Sequence, residues 1–270
     1  MNINKDTLLC MSLAARPGNF GTRFHNYLYE QLNLNYLYKA FTTQDLAAAI
    51  GGIRALGIRG CAVSMPFKEA CIPYLDELDV SARAIASVNT IVNNDGYLKA
   101  YNTDYIAIER LLKQYRIDAQ TPFALRGSGG MAKAVAGALS DAGFRHGTII
   151  ARNQQTGRHL ADLYGYQWRA DEAGLEAKLL INVTPVGMAG GAQEESLAFS
   201  EQTIIQADQV FDVVALPAET PLIRFARMHD KTLITGAEVI AIQALEQFVL
   251  YTGVRPEPAL VERAAAFARS

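Results

Sequence analysis

The chain has 270 residues, half of them hydrophobic, and a formal net charge of -2 at pH 7. This length allows one large domain or two ordinary domains, each with its own core. The near-neutral charge and the lack of a basic run exclude the polyanion-binding surface that a nucleic-acid-binding protein needs.

The three cysteines, Cys10, Cys61 and Cys71, are scattered and show no Cys-x-x-Cys pair or Cys/His ligand spacing. This usage fits a reducing compartment and predicts no metal site. No apolar run approaches the ~20 residues of a membrane span. We therefore expect a cytoplasmic protein with no membrane or nucleic-acid partner, either a monomer or a weak homodimer.

The first hundred residues predict alternating strands and helices. The expected elements are a strand over 7–13, a helix over 23–32, a strand over 35–41, a helix over 44–56 capped by Thr43, and strands over 60–64, 87–92 and 96–104. Alternation of this kind without an internal repeat predicts an α/β fold with a mostly parallel sheet covered on both faces.

The stretch FALRGSGGMAKAV, residues 123–135, predicts a short apolar strand, a glycine turn and a helix. Its Gly-x-Gly-Gly-x-Ala pattern is a variant of the dinucleotide-binding fingerprint, in which bare N–H groups and the helix dipole meet a diphosphate. Glycine-rich turns also occur as plain connections, so the pattern alone leaves both interpretations open. Further strands are expected over 147–151, 179–182 and 210–214, and helices over 222–228, 237–252 and 256–269.

The strand over 147–151 ends in Arg152 and Asn153, where an NAD-binding protein would carry a carboxylate for the ribose hydroxyls. A guanidinium can instead fork onto a 2′-phosphate, which favours NADP over NAD. The alternative is a solvated surface arginine.

Several polar residues of the first half suit chemistry on a small polyol. Lys68 follows the strand over 60–64, at the carboxyl edge where open α/β sheets bind ligands. Asn89 and Asn102 carry amides that match hydroxyl groups, and Asp104 closes the last short strand. Taken singly, the lysine is more often a solvated helix-start residue, and the Asn-Thr pairs are equally typical of turns and helix caps.

In order and spacing, these motifs resemble the shikimate dehydrogenases. The resemblance rests on AVSMPFK, SVNTI, YNTD, RGSGGMAKA, INVTPVGM and TPLIRFA, and on the segment from Gly236 to Gln243. It covers nearly the whole chain. It implies an NADP-dependent oxidoreductase of aromatic amino acid biosynthesis, with a substrate domain over 1–104 and 237–270 and a Rossmann-like NADP domain over 105–236. The last helices would return to the first domain.

The resemblance also implies roles for individual positions. Lys68 and Asp104 match the catalytic pair. In this pair the lysine exchanges a proton with the substrate, and the aspartate holds the lysine and a substrate hydroxyl in register. The positions that match substrate-binding residues are Asn19, Ser64, Asn89, Asn102 and Gln243. The positions that match cofactor-binding residues are Gly127, Ser128, Gly129, Gly130, Met131, Ala132, Arg152, Asn153, Thr184, Val186, Met188, Val213 and Gly236.

The chain departs from the family pattern around the substrate. The family's Ser-x-Ser-Pro loop, whose hydroxyls bind the substrate carboxylate, is replaced by a loop with Asn19 and Gly21 at the serine positions. Arg16 or Arg23 either replaces a lost contact or faces solvent. Further changes are Ala62 for asparagine, Ser64 for threonine, Ala215 for tyrosine, and Val239 and Ile240 for Met-Leu. We therefore expect weak activity on shikimate, with quinate and related cyclic hydroxy acids as the next candidates.

Arg126 is unusual because it ends an apolar strand just before the first glycine. It either reaches the phosphate loop or pairs with an acid from a neighbouring strand. An alternative function for the chain is a sensor that binds NADP and a small molecule without turnover. Another two-domain dehydrogenase of similar shape is a weaker alternative, because it leaves the Asn89 and Asn102 motifs unexplained.

Overall fold

The computed structural model describes residues 3–270, which divide into two compact units. The first unit comprises the described residues up to Thr103 together with Ala241–Ser270, and the second comprises Asp104–Ile240. The boundaries expected from the sequence lie after 104 and after 236, close to these positions. No helix within residues 3–270 has the length and apolar character to cross a membrane.

The first unit is built on a six-stranded sheet with helices on both faces. Its elements are β1 (Leu8–Leu13), α1 (Phe20–Gln31), β2 (Tyr36–Phe41), α2 (Leu46–Ala55), β3 (Gly60–Val63), α3 (Phe67–Ala70), a 3₁₀ turn (Ile72–Tyr74), β4 (Glu77–Leu78), α4 (Val80–Arg83), β5 (Thr90–Asn94), β6 (Tyr97–Tyr101) and α11 (Pro258–Arg269).

The strand order of this sheet, β2-β1-β3-β5-β6-β4, brings polar loops to one edge. β1 is parallel to β2 and β3, whereas β5 is antiparallel to β3 and β6. The carboxyl ends of β1, β3 and β6 therefore lie beside the start of β5. The tight β5–β6 turn is formed by Asp95 and Gly96, both with positive φ, as a two-residue hairpin requires.

Two apolar clusters cover the faces of this sheet. One includes Ile50 and Ile53 of α2, and the other joins Phe24 and Leu28 of α1 to residues of the C-terminal helices. Gly60 is required by the second cluster, because a Cβ there would lie 2.2 Å from the Tyr251 ring.

Two helix starts differ from the sequence-based prediction. α1 begins at Phe20 rather than at 23, so the predicted loop contributes its last residues to the helix. α2 is capped by Asp45, whose carboxylate accepts from the Ala48 N–H at 2.9 Å, so the prediction of Thr43 as the cap is wrong. The Thr43 hydroxyl instead accepts from the Asp45 N–H at 3.0 Å and orients the cap itself.

The second unit contains six parallel strands in the order β12-β11-β10-β7-β8-β9. Its elements are α5 (Thr103–Gln114), β7 (Phe123–Arg126), α6 (Gly130–Asp141), β8 (Gly147–Ile150), α7 (Gln154–Tyr164), β9 (Gln167–Arg169), β10 (Leu179–Asn182), α8 (Glu201–Gln206), β11 (Gln209–Asp212), α9 (Pro221–Met228), β12 (Thr232–Thr235) and α10 (Gly236–Thr252), which continues into the first unit. The chain moves from β7 to β8 on one side and places β10 on the other, so β7 lies at the switch point where such sheets bind ligands.

Candidate active site

Asn89 lies at the polar edge of the first sheet, immediately before β5, and is 1% exposed. Its Oδ1 accepts hydrogen bonds from Thr103 N at 2.7 Å, from Thr103 Oγ1 at 3.1 Å and from Thr90 Oγ1 at 2.9 Å. These bonds fix the orientation of the amide. Its Nδ2 has no partner among the described residues. Because an unpaired buried donor costs about 1–3 kcal/mol, this atom is suited to an external acceptor such as a hydroxyl.

Gln247 is a functional candidate that the sequence-based prediction missed. It is 4% exposed on α10, and its Nε2 donates to Asn89 O at 3.2 Å and to Thr90 Oγ1 at 3.1 Å. It therefore supports the backbone that carries the Asn89 amide. The predicted Gln243 lies one turn earlier and is half-buried. One signal for Gln247 was present in the sequence: it carries a second amide four residues after Gln243, so the two side chains lie on the same face of α10.

His25 is a buried histidine of the same unit, stacked on Tyr38 with ring centroids 4.4 Å apart. Burial lowers its pKa to about 3, and Gln247 only partly opposes this shift. The ring is therefore neutral at physiological pH, so His25 belongs to the aromatic core rather than to proton transfer.

The other predicted residues of the first unit follow the strands that end at the same edge. Ser64 follows β3, is exposed, and its N–H donates to Leu13 O at 2.9 Å. Lys68 is half-buried on α3, and its carbonyl accepts from Val88 N at 2.8 Å, which joins α3 to the residue before Asn89.

Two further predicted residues lie at the end of β6 and the start of α5. Asn102 is buried, and its Nδ2 donates to Ser87 O at 2.9 Å. Its main-chain N–H donates to Ser81 Oγ at 3.0 Å. Asp104 is also buried. The prediction that it closes a strand is wrong, because β6 ends at Tyr101 and Asp104 lies in the first turn of α5, where it is the first residue of the second unit.

The altered loop leads directly into α1. Asn19 is exposed, precedes the helix, and makes no side-chain capping bond. Gly21 lies in the first turn, and a Cβ there would meet the Tyr38 hydroxyl at 3.4 Å, an ordinary van der Waals distance. The backbone therefore accepts a small side chain at Gly21, one of the two positions predicted to replace serine.

The two arginines considered as substitutes for the lost contact have different environments. The Arg23 guanidinium lies 4.6 Å over the Phe267 ring and donates to Ser270 Oγ at 2.9 Å. Arg23 is therefore held by the C-terminal helix. Arg16 is an exposed side chain of the loop itself.

In the second unit a cavity of about 670 Å³ opens beside the glycine turn. It is lined by Arg126, Gly127, Ser128, Ile150, Ala151, Arg152, Asn153, Ala170, Thr184, Pro185, Val186 and Gln193. Gly127 has a φ of +131°, and a Cβ there would lie 2.7 Å from the Val183 side chain, so the turn requires glycine. Six of the predicted cofactor positions thus line one cavity: Gly127, Ser128, Arg152, Asn153, Thr184 and Val186.

Side-chain bonds fix the walls of this cavity on the β8 side. The Ser128 and Thr156 hydroxyls lie 2.7 Å apart, which joins the glycine turn to the start of α7. Asn153 caps α7 by accepting from the Thr156 N–H at 3.1 Å. Arg152 therefore projects from a segment anchored at both ends.

The remaining predicted cofactor positions are not part of this lining: Gly129, Gly130, Met131, Ala132, Met188, Val213 and Gly236. Gly129 caps α6, and the next three residues form its first turn. At Gly236 a Cβ would lie 2.2 Å from the Val214 carbonyl oxygen, so the sharp start of α10 needs glycine.

A buried polar network shapes the loop after β10. Asn182 Nδ2 donates to Asp212 Oδ1 at 3.0 Å, and the Thr220 hydroxyl donates to Asp212 Oδ2 at 2.6 Å. Asn182 Oδ1 accepts from Thr184 N at 3.0 Å and from its hydroxyl at 2.6 Å. Burial raises the pKa of Asp212 to about 6, against the lowering effect of these bonds. The network holds Thr184 at the cavity wall.

Arg126 pairs with an acid, one of the two alternatives predicted for it, but the acid lies in a loop and not on a strand. Its Nη2 is 3.2 Å from Glu172 Oε2, in the segment after β9. Among residues 3–270 no group of three or more His, Cys, Asp or Glu side chains is arranged to hold a metal ion.

Comparison with known proteins gives consistent results for both units. Residues 20–91 match the family model of the shikimate dehydrogenase substrate binding domain. Over 268 residues, 99% of each chain, the protein is 58% identical to the shikimate dehydrogenase-like protein of Haemophilus influenzae. It is 37% identical to the NADP(+) shikimate dehydrogenase of Streptococcus uberis over 91% of each chain. The chain belongs to the shikimate dehydrogenase family.

A solved family structure extends this likeness to the whole fold. The shikimate 5-dehydrogenase of Thermus thermophilus, in complex with NADP(H) and shikimate, is 29% identical, with a TM-score of 0.86 over 97% of this chain and 99% of that one. The predicted fold class, two α/β domains of which one is Rossmann-like, is confirmed. The predicted family is confirmed as well.

Proposed function

We propose that this protein is an NADP-dependent dehydrogenase that interconverts a cyclic hydroxy acid, such as shikimate, quinate or a relative, and its keto form. The observation that carries the proposal is Asn89: a buried amide, fixed through its oxygen, whose Nδ2 lacks a partner among the described residues. A hydroxyl group of a polyol is a suitable acceptor for it.

The cavity beside the glycine turn, which we call the nucleotide cavity, is proposed to bind NADP. Gly127 brings bare backbone to the cavity wall, and the turn that begins there leads into α6, whose N-terminal dipole favours a diphosphate. Arg152 supplies the guanidinium that suits a 2′-phosphate. NADP+, when bound, supplies the acceptor for the hydride.

The chain's own residues manage the proton and the orientation of the substrate. Oxidation of the alcohol removes a proton from the hydroxyl oxygen, and the reverse reaction returns it. Lys68 is proposed to exchange this proton and to stabilise the oxyanion, and Asp104 to hold a substrate hydroxyl in register. General acid–base catalysis of this kind contributes about 10²–10⁴-fold. Asn89 and Asn102 would bind neighbouring hydroxyls, and Gln243 and Ser64 would complete the substrate contacts.

The loop before α1, which departs from the family pattern in the sequence, is proposed to meet the carboxylate end of the substrate. Asn19 keeps one amide donor near the first serine position, and Gly21 provides none. Arg16 remains as the exposed cation of the loop, because Arg23 is held by Phe267 and Ser270. Each donor lost to a carboxylate costs about 1.5–3 kcal/mol, tenfold or more in binding. We therefore propose that shikimate is a weak substrate.

The test is absorbance at 340 nm with NADP+ and with NAD+, against shikimate, quinate and related cyclic hydroxy acids. Asn89→Asp keeps the accepting oxygen and replaces the Nδ2 donor with a second acceptor. We expect its KM for the best substrate to rise at least tenfold. The matched control is Asn94→Asp, an exposed asparagine at the far end of β5, which should leave KM unchanged.

The alternative is a sensor that binds NADP and a small molecule without turnover. Lys68 and Asp104 favour the enzyme, since a sensor has no use for a proton-exchanging pair. Binding of NADP+ without turnover of any hydroxy acid in the panel would favour the sensor. An Asn89→Asp variant with wild-type KM would remove the ground for the proposed hydroxyl contact.

A further inference from the structure

Arg126 ends β7, the strand from which the glycine turn starts, and its side chain is 24% exposed. The three residues before it in the strand are buried and apolar. Its Nε is buried and has no hydrogen-bond partner among the described residues. Arg126 also lines the nucleotide cavity, next to Gly127.

Two contacts of the guanidinium reach segments on opposite sides of β7. Nη2 lies 3.2 Å from Glu172 Oε2 and forms an ion pair with it that lacks hydrogen-bond geometry; Glu172 is in the segment after β9, on the β8 side of the sheet. The guanidinium carbon lies 4.9 Å from the ring centre of Phe199, in the segment after β10 on the other side. Arg126 therefore connects segments that lie on both sides of β7.

A third contact closes the connection between these segments. Glu172 Oε1 accepts a hydrogen bond from the backbone N–H of Ser200, the residue after Phe199, at 3.0 Å. One carboxylate thus holds the guanidinium and the loop on which that guanidinium stacks. Both segments contribute to the cavity wall, through Ala170 on one side and Thr184–Val186 with Gln193 on the other.

This arrangement is not the one that stability alone favours. A partly buried ion pair loses hydration that its mutual attraction only partly repays, and apolar side chains of similar volume are often neutral or stabilising in its place. Leucine or methionine at 126 would pack on Phe199 without an unpaired Nε. Only the charged side chain, however, holds Glu172 across the strand.

We infer that Arg126 is a positioning residue of the nucleotide site: with Glu172 and Phe199 it fixes the separation of the two walls that receive the adenosine half of the dinucleotide. The inference rests on the proposed use of this cavity for NADP. The charge of Arg126 holds Glu172 and does not serve to attract the phosphates of the dinucleotide, so Arg126 affects binding through the position of the walls.

The experiment measures binding of NADP+ and NAD+ to the full-length protein by fluorescence of Trp168, the single tryptophan of the chain. Trp168 lies on β9, and its Nε1 donates to the carbonyl of Ala151, a residue of the cavity lining, at 3.2 Å. The variants are Arg126→Leu, Arg126→Lys, Glu172→Gln and the double variant Arg126→Leu/Glu172→Leu. The control is Arg227→Leu, which removes the exposed pair with Glu219 in the same unit.

For Arg126→Leu we expect a Kd at least tenfold weaker for both dinucleotides, a higher KM for NADP+ with an unchanged kcat at saturation, and an unchanged or raised Tm. Glu172→Gln should weaken binding in the same direction. The double variant should be no weaker than the single one, because both remove the same connection. Arg126→Lys should recover little of the affinity lost in Arg126→Leu, since an ammonium lacks the planar guanidinium that stacks on the Phe199 ring.

Any one of the following results would overturn the inference. Tighter dinucleotide binding in Glu172→Gln would show that Arg126 attracts phosphate by its charge. A loss of affinity in Arg126→Leu that is confined to NADP+ would show the same. A Tm that falls in parallel with affinity would show a merely structural role. Unchanged affinity in Arg126→Leu would remove the role altogether while the wild type still binds, whereas a wild type that binds neither dinucleotide would overturn the proposed function as well.

Discussion

Gly21 is the residue at which the substrate preference of this chain can be tested by restoring a side chain. The three atoms nearest to a Cβ at this position belong to the Tyr38 side chain, at 3.4 Å or more, so a serine fits without backbone change. We expect Gly21→Ser to lower the KM for shikimate about tenfold, because the hydroxyl adds one donor for the carboxylate.

The control for this prediction is Gly18→Ser in the same loop, where a Cβ would meet nothing within 4 Å. It adds an equal side chain outside the first turn of α1 and should leave the KM unchanged. Steady-state kinetics with shikimate and quinate decide the matter. An equal KM in Gly21→Ser and wild type would show that the carboxylate binds elsewhere.

At the scale of single residues, the sequence identified residue types but not their surroundings. Asn89 and Asn102 were equally typical of turns and of ligand contacts, and only the bonds to Asn89 Oδ1 show that one donor is left unpaired among the described residues. The partner of Arg126 was not predictable either, because Glu172 approaches from a loop whose path depends on the whole sheet. Gln247 was missed because a buried helical glutamine resembles any other polar residue in the chain.

At the scale of elements, apolar runs and glycine turns predicted most of the strands, with errors mainly at their ends. Several helices, including the long α5 and α7, were not predicted. The direction of β5 was not predicted, because a buried strand has the same pattern whether it runs parallel or antiparallel to its neighbour. That direction matters, since it brings the start of β5, and with it Asn89, to the edge where β1 and β3 end.

The ends of β10 and β11 and the start of α9 are joined by Asn182, Asp212 and Thr220, and this junction should depend on pH. Burial raises the pKa of Asp212 from its ordinary 3.8 to about 6. The stability that the protonated carboxyl contributes is therefore fully present below about pH 3.8 and is lost as the pH rises through about 6.

Asp212→Asn removes this titration, so it isolates the effect. Between pH 4.5 and pH 7.5 the free energy of unfolding of the wild type should fall by about 2 kcal/mol relative to the variant. Urea unfolding followed by Trp168 fluorescence reports on the second unit, where Asp212 lies. The exposed Asp208→Asn is the control, and a difference that stays constant with pH for Asp212→Asn would contradict the assignment.

At the scale of the whole molecule, each unit has a core of its own. The clusters around Ile50 and Phe24 consist of first-unit residues, and the cluster around Phe199 and Leu180 consists of second-unit residues. Separate cores allow each unit to respond to its own ligand, because a ligand stabilises the structure that binds it by mass action.

Hydrogen exchange followed by mass spectrometry tests, in the intact protein, whether each unit binds its own ligand. NADP+ at about 100 times its Kd should raise the opening free energy of the unit that binds it by about 2.7 kcal/mol, or slow exchange about 100-fold. We expect that protection around 126–128, 150–153 and 184–186, and protection by the hydroxy acid around 88–90 and 101–103. Protection by NADP+ confined to the first unit would contradict the assignment of the glycine turn as the nucleotide site, because the segments that line the cavity would then be unaffected by its ligand.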